Sequence, residues 1–122
     1  MGSIRVFLVV EVLAFGTAAL THFGFLFPGY AHRNASIAET VITVVLLFGL
    51  AASSIRPSVT PQAGLLAQSF ALLATLIGLF TIAVGVGPRT VPDVVYHIVI
   101  VMVLLLGIVL TRRVGRAAMS GR

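Results

Sequence analysis

PDVVYHIVIVMVLLLGIVL, residues 92–110, decides the fold. Beyond His97 the run carries no polar side chain until Thr111. About 20 apolar residues at 1.5 Å per residue match a hydrocarbon core roughly 30 Å thick. Lipid offers the backbone no hydrogen bonds, so a spanning segment is either a helix or a strand of a closed barrel. Barrel strands alternate in polarity over about ten residues. This run is longer and uniformly apolar, which predicts a helix.

Three more runs of the same kind precede it. The spans are placed at residues 4–27, 36–54, 63–87 and 92–111 of the 122-residue chain. Of all residues 59% are hydrophobic and only 9% charged, against about 25% charged in soluble proteins. A soluble domain this small lacks the interior to hide so much apolar surface. The predicted fold is all-α: a single membrane domain, an integral four-helix bundle with short loops and antiparallel neighbours. Arg5 and the long first run resemble a signal peptide, but that run exceeds an h-region of about 7–15 residues and contains Glu11, so it reads as a retained helix.

The connections carry the expected punctuation. Pro28-Gly29 and Asn34 separate the first two spans, and Ser36 with Glu39 fits a capping box. Pro57 and Pro61 bracket the second connection. In the third, GVGPRTVP at residues 85–92 puts Pro92 at the expected first helical position.

All eight basic residues are arginines, and the net charge is +5. Arg5, Arg56, Arg112, Arg113, Arg116 and Arg122 fall at one end of the spans, Arg33 and Arg89 at the other. The positive-inside rule then predicts a multi-pass protein of the cell membrane with both termini cytoplasmic. The arginines form no stripe with interleaved aromatics, which excludes nucleic acid as a partner. The partners expected are the lipid bilayer and either a homo-oligomer or a larger membrane complex with this chain as accessory subunit. With no Cys, disulfides and thiolate chemistry are excluded. Residues 38–49 and 96–107 align as a weak internal repeat, a pattern that low-complexity apolar runs also give by accident.

Ionisable side chains inside spans are costly and face the protein interior. His22, Glu39, Asp93 and His97 all fall in the predicted outer third, with Arg89 and Arg33 nearby. Glu11 lies deeper, on nearly the same face of its helix as His22, and that face is expected to point inward. A structural network explains these residues without a ligand: Asp93 and Glu39 suit helix N-termini, His97 bonds Asp93, and the arginines neutralise the acids. The main functional alternative is a solute, ion or proton pathway using Glu11 and the outer cluster, with Gln68 and Thr75 adding polar atoms. Ala74 with Gly78, and Thr81 with Gly85, follow the small-xxx-small pattern of close helix packing. His22 and His97 could alternatively be the axial ligands of a b-type haem, with glycines 24, 78, 85 and 87 making room. They could also join a carboxylate in a divalent-metal site. No nucleophile elbow or phosphate-binding loop occurs, so the protein is read as non-enzymatic, with no catalytic residues assigned.

The length, the four spans and Glu11 in the first helix resemble the small multidrug resistance transporters, in which one such acid exchanges protons for cationic drugs. Spans 2 and 3 nearly lack the aromatics that would flank such a cation, Trp is absent, and the arginine bias opposes a dual-topology dimer. The resemblance covers those features only, and no family is assigned on it.

Overall fold

A computed structural model describes residues 1–121; Arg122, counted above among the six arginines, lies outside the described residues. Four helices run in order: α1 (Gly2–His22), α2 (Arg33–Ile55), α3 (Thr60–Ala83) and α4 (Val91–Ser120), with a short 3-10 turn at Pro57–Val59 before α3. All four are long and apolar enough to cross a membrane.

The helix limits differ from expectation for identifiable reasons. Span 1 was expected to reach residue 27, but α1 stops at His22. Gly24 and Gly29 adopt φ of +83° and +100°, which favour glycine, and the loop folds back so that His32 N–H donates to the His22 carbonyl at 2.8 Å. His22 thus stands at a helix end rather than a turn inside it. Span 3 was expected to reach residue 87, but α3 stops at Ala83. Gly85 takes φ of +86°, and the Val86 and Gly87 amides both donate to the Thr81 carbonyl at 2.9 Å. At α4 the apolar run stops near residue 111 while the helix continues to Ser120, because the end of apolarity is not a helix stop.

The helix starts also correct two expectations. His32, not Ser36, caps α2, its Nδ1 accepting from Ala35 N–H at 3.3 Å. Ser36 sits in the first turn and donates to the Arg33 carbonyl at 2.8 Å. No capping box forms there, and Glu39 is released to reach across to α1. The box forms instead on α4, where Thr90 and Asp93 cap one another and Pro92 occupies the second helical position.

Side-chain pairs fix the neighbours as antiparallel. Arg5–Ser53 and His22–Glu39 join opposite ends of α1 and α2. Ala67 packs on Gly49 between α2 and α3, and Gln68–Thr111 links α3 with α4. Ile4 and Thr111 both abut Gly64, so the start of α1 and the later part of α4 share one end of the bundle, here the terminal end. The α1–α2 and α3–α4 loops define the opposite, histidine end.

The interior is layered. Phe15, Ile42, Leu46, Ala71, Ile100 and Leu104 form an apolar middle, with polar groups above and below it. Large apolar residues such as Phe48, Leu66 and Phe80 cover the outside, while Glu11, Gln68 and His22 are buried. Apolar surface around a polar interior is the arrangement lipid favours.

Candidate functional site

Three helices meet through His22. The ring Nδ1 lies 2.7 Å from Glu39 Oε2 on α2, and Nε2 lies 3.0 Å from Asp93 Oδ1 on α4. All three side chains are buried. Of the residues expected to converge, His22, Glu39 and Asp93 are brought together, with His22 as the bridge.

Two hydrogen bonds need two protons. A charged imidazole donates from both nitrogens; a neutral ring donates from one and accepts from a protonated carboxyl at the other. Both arrangements hold the same number of protons, so one proton can pass between ring and carboxyl without a change of partners. Both also leave the group with one net negative charge.

The two carboxylates are not equivalent. Asp93 accepts from His22, from the Thr90 amide at 3.1 Å and from the Thr90 hydroxyl. Glu39 accepts only from His22, and its Oε1 has no partner. The expectation that arginines neutralise these acids is not met. Arg89 donates from Nε to the Ile82 carbonyl at 3.1 Å and from Nη2 to Ala83 at 3.2 Å, covering the electronegative C-terminus of α3. Among the described residues the only ion pairs are those of His22 with Glu39 and Asp93.

His97 was expected to bond the Asp93 side chain. Its Nδ1 instead donates to the Asp93 backbone carbonyl at 2.7 Å. Its Nε2 faces Gly78, where an added methyl carbon would sit 3.4 Å away.

Two cavities adjoin the Glu39–His22–Asp93 group, one at His22 and Asp93, the other at Glu39. One, about 610 Å³, lies between α1 and α4 and is lined by Ala14, Ala18, His22, Tyr30, Asp93 and Tyr96 among others. The second, about 200 Å³, runs among α2, α3 and α4 with Glu39, Thr75, Gly78, Thr81 and His97 on its walls. It spans from the loop residues Val86 and Pro88 to Thr75, which stands eight residues, roughly 12 Å, inside the end of α3.

Glu11 is not part of this group. It is fully buried on the terminal side of Phe15, where its Oε1 accepts from Gln68 Nε2 at 3.0 Å. Thr111 donates in turn to Gln68 Oε1 at 2.9 Å. Glu11 Oε2 has no partner. Arg5 Nη2 and the Thr60 hydroxyl both donate to the Ser53 carbonyl, at 2.6 and 3.2 Å, closing the end of α2.

The small-residue motif is used differently from expectation. Gly78 makes room for His97, Ala74 lines the smaller cavity, and Thr81 donates to the Gly78 carbonyl at 2.7 Å. Gly85 lies beyond the helix beneath the Arg89 guanidinium. The close helix approaches are elsewhere, at Gly49, Gly64 and Gly107. Thr90, Thr111 and Gly107 were missed, although Asp93, His97, Ile100, Leu104, Gly107 and Thr111 follow one helical stripe that a search for polar and small residues finds.

The histidines do not fit a bis-imidazole haem. Both His22 nitrogens face carboxylates, so no lone pair is left for iron without dismantling the group. A shared metal fits no better: Glu39 and Asp93 contact opposite edges of the ring, and among the described residues no three or more such side chains are arranged to hold a metal ion.

Comparison with protein-family models, with curated proteins and with solved structures finds no match to this chain.

Proposed function

We propose that this chain is a small multi-pass membrane protein that takes a small cation, the proton included, from the outer face to a buried centre built on Glu39, His22 and Asp93. One observation carries the reading: two carboxylates share a single imidazole, no arginine among the described residues pairs with them, and a cavity reaches the less satisfied carboxylate. An unbalanced negative charge inside a span is expensive, and a mobile cation is what that position attracts. The histidine end carries the fewer arginines, which supports an outward orientation for it. Asp93, tied to the α4 cap, is the fixed member, and Glu39 is the one free to exchange.

The test is flux into liposomes holding the purified protein, read with an internal pH dye and with monovalent cation gradients. Flux should exceed that of protein-free liposomes and fall at least tenfold in Glu39→Gln, which keeps the shape and removes the charge. Equal flux in Glu39→Gln and the parent chain would remove the pathway reading.

A second reading has its own support. Both nitrogens of His22 are engaged across three helices, which suits a clamp that sets how the helices pack. In that case Glu39→Gln alters stability and no flux is seen with any variant.

A further inference from the structure

The polar atoms deep in the smaller cavity are all of one kind. Thr75 spends its hydroxyl proton on the Ala71 carbonyl at 2.7 Å, and Thr81 spends its own on Gly78 at 2.7 Å. Both therefore offer only oxygen lone pairs. His97 must carry its proton on Nδ1, because a carbonyl cannot donate, and the neutral ring then presents Nε2 as an acceptor. Glu39 also lines the cavity, and its buried Oε1 has no partner. Glu39 and His97 are only 5% and 8% exposed. The deep part of the cavity thus offers four acceptors and no side-chain donor. The donors that line it, His32 and Asn34, sit by the loops at its mouth.

A buried carboxylate oxygen without a donor is costly, and this one lies in a group with one negative charge in excess. We propose that this cavity binds a small primary ammonium ion, whose N–H groups would satisfy Glu39, His97 and the threonines while its charge balances the Glu39–His22–Asp93 group. Its volume of about 200 Å³ is several times the roughly 30 Å³ of one liquid water, leaving room for a few carbons. Phe15, Ile42, Ile77 and Val86 supply apolar wall for them. The inference rests on the cation reading above and names its ligand class.

Histidine labelled with nitrogen-15, in the full chain held in lipid nanodiscs, gives the test. Methylammonium chloride should shift the His97 Nε2 resonance in a saturable way. Tetramethylammonium has the charge without an N–H group and should shift it at least tenfold less at equal concentration. Gly78→Ala puts a methyl group against Nε2 at ordinary contact distance, so it should weaken methylammonium binding about tenfold while the thermal midpoint stays unchanged. Equal response to both cations, or no response to methylammonium, overturns the proposal. Loss of the response while flux still depends on Glu39 would refute the ammonium site alone. A retained response with flux indifferent to Glu39 would refute the pathway alone.

Discussion

The bundle buries polar groups at both ends and treats them in opposite ways. At the histidine end, three ionisable side chains share two hydrogen bonds beside two cavities. At the terminal end, Glu11, Gln68 and Thr111 form a chain with a neutral amide at its centre, and neither Glu11 nor Gln68 lines those cavities. Glycines inside the helices draw the same contrast. A methyl carbon on Gly78 would meet His97 at 3.4 Å, whereas one on Gly107 would collide with Gln68 Nε2 and lie 2.7 Å from Glu11 Oε1. Gly49 and Gly64 are as tight, at 2.6 Å from Ala67 and 2.8 Å from Ile4. The terminal end is locked by close helix packing, and the histidine end is held by charge.

The largest expected effect tests the charged end. Replacing His22 with Leu leaves Glu39 and Asp93 buried with no cationic partner. Removing one member of a buried ionic group costs about 3–5 kcal/mol in soluble proteins, and the lower part of that range applies where lipid-embedded groups find other partners. His22→Leu should therefore lower unfolding stability by about 3 kcal/mol. The double variant His22→Leu with Glu39→Leu should be less destabilised than the single one, because it removes an orphaned charge too. If the double variant is the worse of the two, the group is not held together by charge pairing.

Next comes the locked end. Gly107→Ala inserts a methyl group where side chains from α1 and α3 already touch the backbone of α4. Overpacking of this kind costs about 1–3 kcal/mol, and the displaced Gln68 also loosens its bonds to Glu11 and Thr111. A loss of about 2 kcal/mol in reversible unfolding from detergent or bicelles is expected. A Gly107→Ala protein as stable as the parent would show that the terminal end is no tighter than the histidine end.

How much of this was legible beforehand follows from what a membrane sequence encodes. Apolar runs fix helix number, and a residue's place in a run bounds its distance from the helix end, so His22, Glu39 and Asp93 can be assigned to one end of the bundle. Rotation about each helix axis is another matter. In a run such as VITVVLLFGLAA every face is apolar, so periodicity says little about which side meets which neighbour. Which residue bridges, which carboxylate is fully satisfied, and the use of Arg89 on α3 carbonyls rather than on an acid all depend on that rotation. The helix ends escaped for a related reason. Hydropathy continues through Phe23–Phe27 and past Ala83, and only the left-handed glycines at 24 and 85 stop the helices.

The smallest expected effect concerns the amide between Glu11 and Thr111. Gln68→Leu keeps the bulk and removes both hydrogen bonds, a loss that in a dry soluble core would be about 1–3 kcal/mol. Interhelical hydrogen bonds in bilayers average only about 0.6 kcal/mol, because a chain unfolded within lipid pairs its polar groups elsewhere. A loss near 1 kcal/mol is therefore expected for the two bonds together. A double-mutant cycle with Glu11→Leu should return a coupling of about 0.6 kcal/mol, that of one such bond. A coupling several times larger would mean that Gln68 holds a charged Glu11 rather than a neutral acid. The terminal end would then resemble the histidine end in kind, and the distinction between a packed end and a charged end would fail.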